Sequence, residues 1–326
     1  MNQDFPVFSQ MTAKPDKPNT ANMLKQRGHE LGFHHIGIAA AVTPPGFHPF
    51  LEWLNHGFAA DMKWIHRRRD AYEHPDGVLP NTRSVIMGAM NYHNKDPQPD
   101  TARIARYAWS GHDYHSVLRE RLRELSGHLQ TAVPNSRSRI VVDTAPLLER
   151  DFARLAGIGW FGKNTMLISR GIGSWFFLGA ILTTAQLAYD KPYAGDYCGT
   201  CTRCIDACPT DAFPQPYLLD SNRCISYHTI ENRSDEIPPD LSADFGNWLF
   251  GCDICQEVCP WNRFAPGDSD PAFHPRSDLH SVTPQSILEL TEDEFQEQFQ
   301  GTPLERTGFA AIQRNARIAL QNMKNG

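Results

Sequence analysis

All eight cysteines of this 326-residue chain lie between positions 198 and 259. Four of them, Cys198, Cys201, Cys204 and Cys208 before Pro209, read C-x2-C-x2-C-x3-C-P. Cys252, Cys255 and Cys259 before Pro260 repeat the end of that run, and Cys224 lies between the two groups. The first run is the bacterial ferredoxin pattern, and two sets of four thiolates are what two 4Fe-4S clusters need. In that pattern the last cysteine of each run ligates the other cluster. The expected sets are therefore Cys198, Cys201, Cys204 and Cys259, and Cys208, Cys224, Cys252 and Cys255. The crossing holds the two cubes close together, which suits electron relay. Zinc also uses C-x2-C pairs, but a third cysteine two residues on and a closing Cys-Pro are foreign to zinc sites. Disulfides would demand an oxidising compartment.

The chain is long enough for two domains and a sizeable core. Its net charge of −6 gives no global basic field, so contact with nucleic acid needs a local patch. The opening residues lack a basic start followed by an apolar run. Residues 1–21 are thus expected to be a disordered tail and not a signal peptide. The longest apolar stretch, Trp175 to Leu187, is broken by Gly179, Thr183, Thr184 and Gln186, too short and polar for a bilayer. A cytoplasmic protein with reduced thiols and no membrane contact follows as the expectation.

Periodicity organises the rest. A helix is expected from residue 22 into the low thirties, then a strand, HIGIAA. Leu51, Leu54, Phe58, Met62 and Ile65 have helical spacing over 51–72. Val85–Met90 reads as a buried strand. Val117, Leu118, Leu122, Leu125 and Leu129 mark an amphipathic helix. Arg139–Val142 reads as a strand ending at Asp143, and 146–156 as a helix. Met166–Ile168 and Trp175–Thr183 read as strands joined through Gly171-Ile172-Gly173, and 285–300 and 309–323 as helices. The expected architecture is an α/β (α+β) domain over 22–192, a two-cluster ferredoxin domain over 193–270 and a helical segment over 271–326.

Several segments together resemble epoxyqueuosine reductase, the cobalamin-dependent iron–sulfur family of tRNA queuosine synthesis. They are RYAWSGHDYHSVLR (106–119), VVDTAPLLERDFARLAGIGWFGKNTMLI (141–168) and GSWFFLGAIL (173–182). CGTCTRCIDACPTDAF (198–213), RCISYHTIE (223–231) and GNWLFGCDICQEVCPWN (246–262) complete the set. The resemblance implies a cobalamin-binding catalytic domain that reduces the epoxide of epoxyqueuosine in the tRNA anticodon loop to queuosine. The two clusters would deliver electrons singly to give cob(I)alamin, and an acid would protonate the departing oxygen. Partners would be a tRNA with a GUN-type anticodon and an external low-potential electron donor, acting on a monomer. Longer members of the family continue into a C-terminal HEAT-like repeat; the sequence given stops just past IQRNARIAL, so no such repeat is expected.

The resemblance makes Asp143 the proton donor, with burial beneath the corrin raising its pKa. On the residues alone, Asp143 or Thr144 before Pro146 is equally a helix start with an N-capping oxygen; Thr144 could cap while Asp143 acts. The chain lacks the Asp-x-His-x-x-Gly pattern of cobalt-ligating histidines: Asp113 and His115 fit, but Leu118 stands where glycine belongs. A base-off corrin without a protein nitrogen on cobalt is the expectation. Asn164, Leu167, Leu178, Ser226 and Asp253 match family positions near the corrin. Core packing is the alternative for Leu167 and Leu178, and loop shaping for Asp253. Lys163 could anchor a phosphate or the corrin edge, or be a surface lysine. Arg67, Arg68 and Arg69, with Arg314 and Arg317, are candidates for tRNA phosphates; a solvated helix end is the alternative for the triplet. Tyr227 and His228 could contact substrate or serve the loop. Two other classes compete. One is a reductive dehalogenase-like cobalamin enzyme, which usually carries a twin-arginine export signal that this N-terminus lacks. The other is a non-catalytic electron carrier, which would have no use for the long domain before the clusters.

Overall fold

The computed structural model describes residues 18–95, 101–267 and 270–325. Elements follow in chain order: α1 (Pro18–Glu30), β1 (His35–Ala40), α2 (Phe47–Asn55), α3 (Lys63–Arg67), β2 (Ser84–Asn91), β3 (Arg103–Ile104) and α4 (Tyr114–Ala132). Then come β4 (Ser138–Val141), α5 (Glu149–Leu155), β5 (Trp160–Phe161), β6 (Leu167–Ile168), β7 (Phe176–Thr183) and α6 (Arg203–Asp206). The chain continues through α7 (Ile225–Ile230), α8 (Pro239–Ser242), β8 (Trp248–Phe250), α9 (Ile254–Glu257), α10 (Pro284–Glu289), α11 (Glu292–Phe299) and α12 (Phe309–Asn325).

The central sheet has the order β1-β2-β7-β4 and every pairing in it is antiparallel. That makes the first domain α+β and excludes a parallel α/β sheet. Both faces are covered, so β2 is buried at every position and alternate residues feed two cores. Ile38, Ile86 and Ile181 face α1 and α4, whose Leu24, Leu118, Leu122, Leu125 and Leu129 are fully buried. Met87, Ala89, Ala180 and Leu182 face α5, through Phe152 and Ala153. α4 starts where Asp113 Oδ1 accepts the His115 amide hydrogen at 3.0 Å, an N-cap that satisfies an otherwise unpaired donor.

The helix expected over 51–72 is broken. α2 stops at Asn55, and positive φ at Gly57 (73°) and Ala60 (50°) turns the chain before α3. The helix expected over 285–300 is two helices, because Thr283 and Thr291 each form a capping box. α5 begins at Glu149, after Leu148, with no side-chain cap. Neither Asp143 nor Thr144 caps it, so the capping reading fails for both. Of the expected tail, residues 1–17 lie outside the described residues, while 18–21 already belong to α1. The glycine turn forms as expected, closed by a bridge between Ser169 and Gly173. Gly173 is required there: its φ is +64° and a Cβ would stand 2.0 Å from Asn262 Oδ1.

The cysteine region is not a free-standing unit. Its strand β8 pairs in parallel with β3 from the first half. Ala102, Ile104, Ala108 and Trp109 share one core with Ile287, Phe295, Ile312 and Ala316 of the C-terminal helices. Among the described residues no helix is long and apolar enough to cross a membrane.

Candidate iron–sulfur and acid–base site

The eight thiols converge as two sets of four. Cys198, Cys201, Cys204 and Cys259 line one cavity of about 280 Å³, roofed by Tyr197 and Trp261. Burial, then the charges of Cys198 and Cys259, pushes the Cys204 thiol up to about 11. Burial and then Cys224 do the same, more strongly, to Cys255, with Cys208 also bearing on it. Cys252 is raised by burial and by Cys255 and Cys224. Cys259 thus shares a cavity with the first run, and Cys208 lies near Cys224 and Cys255. Among the described residues no group of three or more His, Cys, Asp or Glu is arranged to hold a single metal ion. A cube spreads its thiolates over four iron atoms, further apart than one tetrahedral zinc allows.

The surroundings fit anionic clusters. The amides of Ser226 and Tyr227 point at Cys224, that of Ile254 at Cys252, those of Trp261 and Asn262 at Cys259, and that of Lys163 at Cys198. Trp160 is 1% exposed, and its Nε1–H has no hydrogen-bond acceptor although it faces Cys198. A buried unpaired donor is costly; a cluster sulfur beyond Cys198 would satisfy it. Trp160→Phe should therefore lower the reduction potential of this centre by roughly 60 mV, about 1.4 kcal/mol for one electron. An EPR-monitored redox titration measures it, and an unchanged potential removes Trp160 from the cluster's hydrogen bonds.

Lys163 is not a phosphate anchor. Its Nζ donates to Gly199 O at 2.7 Å and to Cys201 O at 2.9 Å, tying down the first cysteine loop. Asn164, 3% exposed, gives Nδ2–H to Cys255 O at 3.3 Å and accepts the Met166 amide hydrogen. Asp253 is buried, accepts the Arg106 amide hydrogen at 2.7 Å, and is raised by burial to about 7. Leu167 is buried in the α5-side core, so its side chain is core packing, whereas Leu178 and Ser226 are only partly buried. His228 and Tyr227 serve the loop. His228 Nε2 meets Asn222 O at 2.8 Å, and Tyr227 Oη accepts the Asp61 amide hydrogen at 3.1 Å. Arg314, placed among the phosphate contacts by sequence, is 5% exposed and spends its guanidinium on the carbonyls of His228, Asn232 and Ser234. It is a structural residue and cannot meet tRNA. Arg317 is exposed on α12, and Arg67, Arg68 and Arg69 are exposed at and just beyond the end of α3.

Asp143 lies two residues past the end of β4 with φ +56°, a left-handed backbone that aspartate tolerates better than most residues. Its amide donates to Glu149 Oε1 at 2.9 Å. Tyr114 Oη donates to Asp143 Oδ2 at 3.1 Å, and His115 Nε2 lies 3.6 Å from the same oxygen. His115 Nδ1 meets Asp113 Oδ1 at 2.7 Å. Burial works against charge on His115, but Asp113 and Asp143 together push its pKa up to about 9. The His115 imidazolium in turn holds Asp143 below the usual carboxylate range. The expected rise in the Asp143 pKa is thus reversed in this state. Burial and then the Asp143 charge push Glu149 up to about 8. Sequence reasoning weighed His115 only as a cobalt ligand and passed over Tyr114 and Glu149.

The Asp143 side chain is 66% exposed, Arg150 is exposed and Glu149 half-buried. A run of ring contacts leads from this cluster toward the cysteines: Tyr114 packs edge-on to Tyr107, which packs on Phe250, two residues before Cys252. Arg68 reaches the same cluster, donating from Nη1 to Thr144 O at 3.2 Å, and Arg119 Nη2 lies 3.4 Å from Thr144 Oγ1. Arg306 forms a two-pronged pair with Glu231 at 2.6 and 3.0 Å and acts on Asp143 from the same side.

Two sets of cysteines, with a run of aromatic contacts leading from them to a proton-bearing carboxylate cluster, define an iron–sulfur oxidoreductase. A family model described as 4Fe-4S double cluster binding domain matches residues 197–262, and one described as Epoxyqueuosine reductase QueG, DUF1730 matches residues 73–144. A Gloeobacter violaceus protein named epoxyqueuosine reductase is 42% identical over 311 residues, covering 92% of this chain and 96% of that one. A crystal structure of epoxyqueuosine reductase with an epoxyqueuosine-modified tRNA-Tyr stem loop superposes with TM-score 0.82 at 30% identity, covering 94% of this chain and 82% of that one. So does a Bacillus subtilis epoxyqueuosine reductase whose aspartate-bearing catalytic loop is swung out of the active site (TM-score 0.83, 30% identity, 94% and 82% covered). The chain belongs to the epoxyqueuosine reductase family.

Proposed function

We propose that this protein reduces the epoxide of epoxyqueuosine in the anticodon loop of a GUN-type tRNA to queuosine, with Asp143 delivering the proton. The observation that carries the proton role is the Tyr114–Asp143–His115–Asp113 chain of contacts. The reaction takes up two electrons and two protons and yields an alkene and water. The exposed Asp143 and the part-buried Leu178 and Ser226 leave side chains that a large flat cofactor would cover. Cobalamin bound there would supply two-electron reducing chemistry for the epoxide, with the clusters as its source of single electrons. Ser226 and Leu178 would touch it by side chain. Asn164, Leu167 and Asp253 have buried side chains, so they would contribute backbone groups only. Both His115 nitrogens face carboxylates, which supports a base-off corrin with no histidine on cobalt.

Before substrate arrives, the proton of the pair sits on His115 Nε2. Exclusion of water by cofactor and substrate disfavours the charged pair and shifts that proton to Asp143 Oδ2. Asp143 hands it to the departing oxygen, and His115, held by Asp113, takes up a proton from solvent and restores it. Glu149 is mostly protonated at neutral pH and holds a second proton one residue contact away. The catalytic aspartate loop named for the Bacillus subtilis relative supports this role for the Asp143 loop.

Arg67, Arg68 and Arg69 would neutralise anticodon-stem phosphates, with Arg317 as an outlying contact. Reversing Arg67 and Arg69 to glutamate should weaken binding of an anticodon stem-loop by about tenfold or more and flatten its salt dependence, as fluorescence anisotropy across ionic strength would report. An unchanged salt slope rules the triplet out. A tRNA substrate is consistent with a cytoplasmic site of action. The decisive experiment is anaerobic turnover: protein reconstituted with about eight irons and cobalamin should convert an epoxyqueuosine stem-loop to queuosine, read by mass spectrometry of nucleosides. Protein that takes up iron but neither binds cobalamin nor converts the stem-loop is an electron carrier, and the reading fails.

A further inference from the structure

The loops that carry the two ligand sets differ in exposure. All eight thiols are part-buried, but Gly251, Asp253 and Gln256 around Cys252 and Cys255, and Ile225 and Tyr227 after Cys224, are buried. The residues between the first-run ligands, Gly199, Thr200, Thr202 and Arg203, are all exposed. Electron tunnelling falls off exponentially with distance, so an external donor reaches the first-run centre far faster than the enclosed one.

The surface over that centre has a distinct character. Phe264 is 75% and Tyr197 45% exposed, among the few large apolar side chains so exposed. Arg263 lies over the Phe264 ring and Arg170 over the Tyr197 ring, at 5.9 and 5.2 Å. Arg203 and Arg263 flank a cavity of about 760 Å³ that Cys259 and Pro260 also line. Among the described residues no carboxylate lies within 4.0 Å of Arg170, Arg203 or Arg263. The carboxylates on this face are engaged already: Asp196 by the Cys198 amide and Tyr217, Asp206 by Thr202, and Glu257 by Arg103 and Arg106. Unpaired arginines beside exposed aromatic rings, on a chain whose net charge is −6, are the composition of interface anchors and would steer an anionic partner.

We propose that the face formed by Arg170, Tyr197, Arg203, Arg263 and Phe264 is the docking site of a small acidic low-potential flavoprotein that reduces the first-run centre. Each encounter moves one electron. The flavin hydroquinone anion becomes the neutral semiquinone, and the centre falls from its 2+ to its 1+ level. Two encounters supply the pair that one epoxide consumes. The inference rests on the cluster assignment alone and is indifferent to the substrate.

The test uses the full chain loaded with iron–sulfur clusters but no cobalamin, so that a failed substrate reading leaves it intact. Photoreduced flavodoxin hydroquinone is the probe, and stopped-flow bleaching of the cluster absorbance is the readout. Arg170→Glu/Arg263→Glu should lower the second-order rate constant at least tenfold, and Arg203→Gln severalfold. The wild-type rate should fall as salt is raised. Reduction by methyl viologen radical, a small cation, should keep its rate in all variants. An unchanged flavodoxin rate, an equal loss with viologen, or free reduced flavin mononucleotide matching flavodoxin with no sensitivity to these arginines would each overturn the proposal.

Discussion

Asp143→Asn should lose at least about a hundredfold in turnover while still binding both clusters and cobalamin, because a positioned general acid contributes roughly that much or more. The amide keeps the shape and the contact from Tyr114 but cannot carry the proton to the leaving oxygen. Single-turnover conversion of an epoxyqueuosine stem-loop, beside iron content and the corrin spectrum, measures the effect; a wild-type rate would exclude Asp143 as the acid. His115→Gln separates proton supply from geometry. The His115 pKa is raised from 6.5 to about 9, so its proton is present below that value and is lost as pH rises through it. Wild-type turnover should decline above pH 9, and the variant should be slower with that decline gone. Asp113 and Asp143 set this titration against burial; Arg119 acts on Asp113, and Tyr114 and Glu149 face Asp143. By the same linkage, the stability that His115 contributes is fully present below pH 6.5 and fades as pH climbs to about 9.

The second large effect concerns the crossed ligands. Cys259→Ser should leave about half of the eight irons, and the lost centre should be the one held by Cys198, Cys201 and Cys204. Cys208→Ser should instead strip the enclosed centre shared with Cys224, Cys252 and Cys255. The two variants are told apart by the potential of the surviving signal, since only the first-run centre lies beside Trp160. A cluster is also folding energy, so each variant should melt lower by on the order of 10 °C. Were Cys259→Ser to destroy the centre of its own run, the ligands would not cross.

The cysteine sets were readable because cluster ligation is written in local spacing, and local spacing survives whatever the rest of the chain does. The same holds for α4, whose leucines repeat with the helical period. The break between α10 and α11 was missed, although Thr291 and Glu294 spell a capping box that hydrophobic spacing alone overlooks. The proton chain was not legible. His115 lies in the first turn of α4, Asp143 two residues past β4 and Glu149 at the start of α5, and only the tertiary fold brings these three element ends together. The sequence did offer Asp113-Tyr114-His115 at a helix start, but that triplet was weighed against a cobalt-binding pattern and set aside. Arg314 misled for the opposite reason. A basic residue in a late helix reads as a surface charge, and nothing in its neighbours announces the three carbonyls that draw it inside. The Asp143 pKa reversed because a nearby cation outweighs burial, and that cation comes from another element.

The short parallel pairing of β3 with β8 has a consequence for biogenesis. Residue 103 leaves the ribosome about 145 residues ahead of its partner at 248, an interval of roughly 7 to 30 seconds at typical elongation rates. The helical layer that shares a core with Trp109 follows later still. Iron delivered to the first cysteine run in that interval would meet an incomplete ligand set. With crossed ligands, neither set can be complete before residue 255 or 259 has left the ribosome, which makes metal insertion a late event.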